Sequence, residues 1–287
     1  MKINTIAPEK NEFLKRVNSI AKPPKSFHYV GTLPPDGPAT VAIVGTRKPT
    51  AYGREVTHTL AYSLAQRGVI VVSGLALGID AIAHTAALEA GGITIAVLGN
   101  GLPDIYPATN ARLGHRIVES GGALLSEYPP HDKARPHYFL ERNRLVAGLA
   151  DVIIITEAAL RSGTLNTAAH ALEQGKDVYA VPGNITSPLS AGCNALIAQG
   201  ALPLTDVHDL LDVLVPPASA SNSAATLPLG RTELETTIIG LLAHGLRDGD
   251  ELLRQAGCTA TDFATTITML ELQGAIRALG ANRWTLR

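Results

Sequence analysis

Between residues 41 and about 214, short apolar runs with no polar alternation give way repeatedly to longer segments in which apolar residues recur every three or four positions. The runs are Val41–Val44, Val69–Val72, Ile93–Leu98, Ala123–Leu125, Asp151–Thr156 and Asp177–Val181. They are rich in β-branched residues and show no polar face, which suits strands buried on both sides of a parallel sheet. The spacing between them predicts helices at Arg54–Gln66, Asp80–Ala90, Asn110–Glu119, Arg142–Leu149 and Thr164–Gln174. Strand and helix alternating in this way, with right-handed crossovers, give a doubly wound parallel α/β sheet. Nearly every run ends in Gly, Ser or Glu, and those ends would share one rim of the sheet, where open α/β folds bind their ligands.

The flanks read differently. Residues 1–40 carry six basic residues against Glu9, Glu12 and Asp36, with prolines at 23, 24, 34, 35 and 38. A short helix and an extended lead-in are expected there, forming a solvated arm that caps the sheet edge. Residues 215–230 are rich in Pro, Ala and Ser and uncharged, as a linker would be. Residues 231–287 predict helices at Glu233–Ala243, Gly249–Ala256 and Thr261–Gln273, then a strand pair at Ile276–Leu279 and Arg283–Leu286, an order that resembles a small winged helix. The expected domains are therefore 1–40, 41–214, the linker 215–230, and 231–287.

With 287 residues, 46% of them hydrophobic, the chain can build a large core. A net charge of -1 and a pI near 6.8 neither argue for nor exclude a nucleic-acid partner. Such a partner would need a local basic surface. Cys193 and Cys258 give neither a disulfide framework nor a zinc spacing. The start of the chain has no apolar signal region, and the most apolar stretch, near Leu145–Leu160, is interrupted by Asp151, Thr156 and Glu157. A cytoplasmic protein without a membrane span, metal or cofactor is expected.

The rim carries the candidate chemistry. Val41–Val44 runs into Gly45, Thr46 and Arg47: a turn residue, a hydroxyl and a five-donor guanidinium that suits phosphate oxygens. The rival role for Arg47 is an ion pair with Glu127 or Glu157. Ser73 and Gly74 open a turn reaching Asp80, read equally well as an anion nest or as a tight turn capped by Asp80. Asp80 and His84, at i and i+4, suggest a local hydrogen-bonded pair. Tyr106 could stack on a base, although a buried tyrosine with a bonded hydroxyl is the commoner outcome. The segment His131–Arg144 places Lys133, Arg135, Arg142 and Arg144 around Phe139 and Tyr138, cations for phosphates beside rings for bases. One of Arg142 and Arg144 could instead serve a structural ion pair at a helix start. Ser162, Gly163 and Thr164 open a helix whose free amides could hold an anion. Glu157 suits either acid chemistry or a cap on local amides, and no triad, HExxH or Walker lysine accompanies it.

Taken in order, G-T-R at 45–47, S-G-L-A-x-G-I-D at 73–80 with His84, L-G-x-G-x-x-x-x-Y-P at 98–107, S-E-Y-P at 126–129, F-x-x-R-N-R at 139–144, E-A-x-x-x-S-G-T at 157–164 and the A-V-P-G series from 180 to 201 resemble the DNA-processing protein A (DprA, Smf) family. The resemblance implies an extended Rossmann-like fold without catalytic activity. It implies a homodimer that binds and protects single-stranded DNA during natural transformation and helps load the RecA recombinase for homologous recombination. Arg47 matches the family's phosphate-contacting arginine. Leu77 and Ala108 stand where the family has basic residues, which lowers the positive charge of the rim. The rival is a nucleotide-binding Rossmann enzyme, such as a nucleoside-monophosphate phosphoribohydrolase, with Glu157 serving a small nucleotide. The mixed basic and aromatic content of 133–144 favours a polymer.

Overall fold

The computed structural model describes residues 2–215, 232–243, 246–273, 275–280 and 282–286. It divides into two compact units, Met1–Pro216 and Pro217–Arg287. The expected linker falls outside the described residues except for Val215.

The first unit is built on nine strands: β1 (Asn4–Ile6), β2 (Phe27–Gly31), β3 (Thr40–Val44), β4 (Ile70–Ser73), β5 (Thr94–Val97), β6 (Ala123–Ser126), β7 (Val152–Ile155), β8 (Asp177–Ala180) and β9 (Leu202–Pro203). Their order is β1-β2-β6-β5-β4-β3-β7-β8-β9. All pairings are parallel except β1 with β2 and β2 with β6. From β3 the chain moves outward through β4, β5 and β6, then returns to lay β7 on the other side of β3. The order reverses between β3 and β7, which opens a crevice at their carboxyl ends.

Helices cover both faces: α1 (Glu12–Lys15), α2 (Ala51–Gln66), α3 (Ile79–Glu89), α4 (Ala111–Glu119), α5 (Pro136–Leu149), α6 (Thr164–Glu173), α7 (Ala191–Ala198) and α8 (Val207–Leu214). Alternate residues of β3 face opposite layers, as the two-residue period of a strand requires. Val41 and Ile43 pack with Leu60, Leu64, Ile79 and Ala83 of α2 and α3. Ala42 and Val44 pack with Leu145 and Leu149 of α5 and Ala168 of α6. Each of the large aliphatic side chains so buried contributes about 1.5–3 kcal/mol.

Residues 4–31 do not form a solvated arm. They add two antiparallel strands to the sheet, and Phe13, Leu14, Val17 and Phe27 join the main core. Phe-His-Tyr-Val-Gly has no apolar run, so only its pairing with β1 and β6 marks it as a strand. Helix α5 begins at Pro136, well before the expected start at Arg142, because proline at the first helical position supplies the right φ and loses no needed donor. Helices α7 and α8 lie beyond Thr164–Gln174, the last helix expected in this region.

The second unit has α9 (Glu233–Ala243), α10 (Gly249–Ala256) and α11 (Ala260–Leu272), followed by the antiparallel pair β10 (Ile276–Gly280) and β11 (Arg283–Leu286). Ile238, Leu252, Phe263, Ile267 and Leu270 form its own core. Gly257 ends α10 in the left-handed region at φ 65°, where a side chain would be strained. Among the described residues no helix is long and apolar enough to cross a membrane.

Candidate nucleic-acid interface

A cleft of about 560 Å³ lies at the carboxyl ends of β3 and β7. One wall is Thr46, Arg47 and Lys48, the opposite wall is Ser162, Gly163 and Thr164 at the start of α6, and Phe139, Leu140 and Asn143 of α5 roof it. The turn after β3 is packed against its neighbours. A methyl group on Gly45 would sit 2.6 Å from Ile79 Cγ1, so only glycine fits. Gly78, at φ 79°, lies against the Thr46 carbonyl, which accepts the Ile79 amide at 3.2 Å. The Thr46 amide donates to the Glu157 carbonyl at 2.7 Å, and Thr164 Oγ1 donates to the Gly45 carbonyl at 3.0 Å.

This fixed turn leaves Arg47 and Lys48 exposed. The guanidinium of Arg47 sits 5.8 Å from the centre of the Phe139 ring, a cation over an aromatic face. The two carboxylates that could have claimed Arg47 are engaged elsewhere. Glu127 holds Arg144 at 2.6 Å. Glu157, only 2% exposed, accepts the Thr50 amide at 2.8 Å and the Thr50 hydroxyl at 2.7 Å, capping the start of α2. Tyr106 is 52% exposed, with its ring 5.5 Å from that of Phe139, so it is not the buried tyrosine expected. Arg47, Leu77, Tyr106 and Phe139 wall a recess of about 70 Å³ beside the cleft.

Four candidate residues are engaged within the protein, although Arg142 also lines the cleft and, with Gly74, the recess. Ser73 is fully buried and donates to the Ile43 carbonyl at 2.6 Å, so it cannot reach a strand of nucleic acid. The Gly74 amide is taken by the Asp80 carboxylate at 3.0 Å, which fills the supposed nest from inside the protein. Arg142, 4% exposed, donates to the carbonyls of Gly74, at 2.7 Å, and Val97, tying together the ends of β4 and β5. Burial lowers its pKa while the nearby Asp80 charge opposes the drop. Burial raises the Asp80 pKa, and the Arg142 charge and the amides of Ala76 and Gly74 pull it back. Arg144 is consumed by its pair with Glu127. The expected Asp80–His84 pair is not made, since His84 Nδ1 meets Thr94 Oγ1 at 2.7 Å instead.

Lys133 and Arg135 are exposed but lie outside the cleft lining, Arg135 against Tyr138 at 5.2 Å and paired with Asp132 at 3.5 Å. At α6, the amides of Thr164, Leu165 and Asn166 already have acceptors in Ser162 Oγ, the Ser162 carbonyl and the Gly163 carbonyl, so that helix start offers less to an anion than its sequence suggests. Lys48 and Asn143 line the cleft without having been singled out in the sequence. Lys48 stands next to Arg47, and Asn143 sits between the two arginines of the R-N-R run, positions that alone could have marked them.

A family model described as DNA recombination-mediator protein A matches residues 4–215, and one described as the DprA winged helix domain matches residues 217–282. Protein Smf of Escherichia coli is 38% identical over 259 residues, covering 86% of this chain and 68% of that protein. A DNA processing protein DprA of Mycobacterium tuberculosis is 50% identical over 175 residues, 61% of this chain and 45% of that one. The chain thus spans about two thirds of the first relative and less than half of the second. The DNA processing protein A of Helicobacter pylori, described with a single-stranded DNA binding mode, matches with a TM-score of 0.67 and 35% identity over 75% of this chain and 96% of its own.

Proposed function

The chain belongs to the DNA recombination-mediator protein A family, and we propose that it binds single-stranded DNA along the cleft at the ends of β3 and β7. The observation that carries this reading is Arg47, which is exposed and held over Phe139 while the two carboxylates expected to compete for it are engaged elsewhere. Thr46, Arg47 and Lys48 face the phosphates, and Phe139 and Tyr106 offer faces to bases. Ser162, Gly163 and Thr164 shape the far wall, and Lys133 and Arg135 extend the positive surface. Ser73, Gly74, Arg142 and Arg144 hold this arrangement from behind. Backbone cations and stacking faces do not read base edges, so little sequence preference is expected.

The wider role is part of the same proposal and draws on family membership. The protein acts in the cytoplasm as a homodimer without turnover of its own, protects incoming strands, and helps load RecA during transformation. The enzymatic alternative needs Glu157 as a reacting group, and the role of Glu157 as the cap of α2 counts against it.

A gel shift with single strands, duplex and a mononucleotide competitor tests the reading. Single strands should bind more tightly than duplex and resist the mononucleotide, and log affinity should fall with log salt at about -0.7 per neutralised phosphate. Equal duplex binding, or a flat salt response, would reject it.

A further inference from the structure

A second cleft, of about 680 Å³, lies on the other flank of α5 and shares only Leu140 with the first. It runs between residues 19–22, the end of β6, α5 and α6. Its size falls within the range of small-molecule sites. Inside is the Glu127–Arg144 pair, with both side chains about 15% exposed. Three of its lining side chains carry a buried polar atom with no partner: Glu127 Oε1, Arg144 Nη1 and Gln174 Oε1. Groups left so are rare in folded proteins and call for a water, an ion or a ligand. Two of the three are acceptors. At the mouth stand the carboxylates of Glu141 and Glu173, the latter 3.2 Å from His170. Three carboxylates therefore face Lys22 and the already paired Arg144, and a phosphate would be repelled where a cation would not.

We propose that this cleft binds a guanidinium group carried on an aliphatic stem. Its N–H donors match the exposed carboxylates of Glu141 and Glu173 in the lining, since a guanidinium has five donors and no acceptor. Glu127 neutralises Arg144, so the remaining charge of the cleft is negative. The stem packs on Ile20 and Leu140, the apolar part of the lining. The group could arrive on a small molecule or on an arginine side chain of a peptide, and the chemistry of recognition is the same.

Calorimetric titration of the full chain with agmatine, with an N-acetylated arginine-amide dipeptide, and with N-butylurea as the uncharged control tests this. Saturable binding of a guanidinium probe, and none of the urea, is expected. Tighter binding of the peptide assigns the site to a protein partner, and tighter binding of agmatine assigns it to a small molecule. Glu173→Lys and Ala21→Trp should each weaken the guanidinium by about tenfold and leave single-strand affinity within about twofold. No saturable guanidinium binding by the unmodified chain, equal or tighter binding of the urea, or unchanged affinity in both variants would overturn the proposal.

Discussion

Helix α5 separates two clefts that differ in nearly every respect except the presence of an arginine. On the flank toward β3 and β7, the buried guanidinium of Arg142 clamps strand ends, and the exposed cations are supplied by a different element, the turn carrying Arg47 and Lys48. On the other flank Arg144 is spent on Glu127, and the mouth is acidic. Arg142 and Arg144 are two residues apart on a helix with 3.6 residues per turn, so they point about 200° apart and cannot serve one surface. The exposed arginine is open to solvent, while the two enclosed ones are bound to groups of the protein itself.

The sharpest way to break this comparison is to remove the clamp. Arg142→Ala leaves the carbonyls of Gly74 and Val97 without their donor and strands the buried Asp80 carboxylate. It should cost about 3–5 kcal/mol of unfolding free energy in a denaturant titration. An unchanged unfolding midpoint together with lost DNA affinity would instead place Arg142 at the DNA.

Acid probes the same buried layer. His84 is fully buried, and burial, with the Arg142 charge as a smaller cause, lowers its pKa from 6.5 to about 3. The unfolded chain therefore binds more protons than the folded one between those values. Stability should be full above about pH 6.5 and fall as the pH drops toward 3, by up to about 1.4 kcal/mol per unit from this residue. His84→Gln should flatten that part of a melting-temperature profile.

The outward arginine should behave in the opposite way. Arg47→Ala is expected to weaken single-strand binding by about 1–3 kcal/mol and leave the melting temperature nearly unchanged. Arg47→Lys should recover only part, since a point charge replaces a planar fork. An Arg47→Ala protein that melts much earlier but binds DNA normally would refute the assignment.

Two smaller effects bound the contribution of other regions. Helix α11 has no Lys or Arg but carries Asp262 and Glu271, and groove-reading helices need cations. A chain ending at Val215 should therefore lose less than about tenfold in single-strand affinity, roughly 1.4 kcal/mol. Leu77 is 44% exposed at the recess beside Arg47. Leu77→Arg should tighten binding modestly and steepen the salt slope by about 0.7, the share of one additional phosphate contact.

Periodicity and strand-end composition were enough to place the doubly wound sheet, its rim and the Gly45–Arg47 turn, because these depend on local patterns: a run buried on both faces, a glycine where no side chain fits, a helix following. The motifs in order were enough to point to the family. Hydrophobic spacing could not reveal the strand Phe27–Gly31, which exists through its pairing with β1 and β6. Nor could composition separate Arg47 from Arg142 and Arg144, since all three are arginines in a basic and aromatic setting. Their roles depend on which side of α5 each one faces, and on whether strand-end carbonyls, Glu127 or solvent meet it there. The carbonyls of Gly74 and Val97 lie 68 and 45 residues from Arg142, and Glu127 lies 17 from Arg144. Only the folded sheet brings them together, and burial then makes an arginine structural where exposure leaves it free for a phosphate.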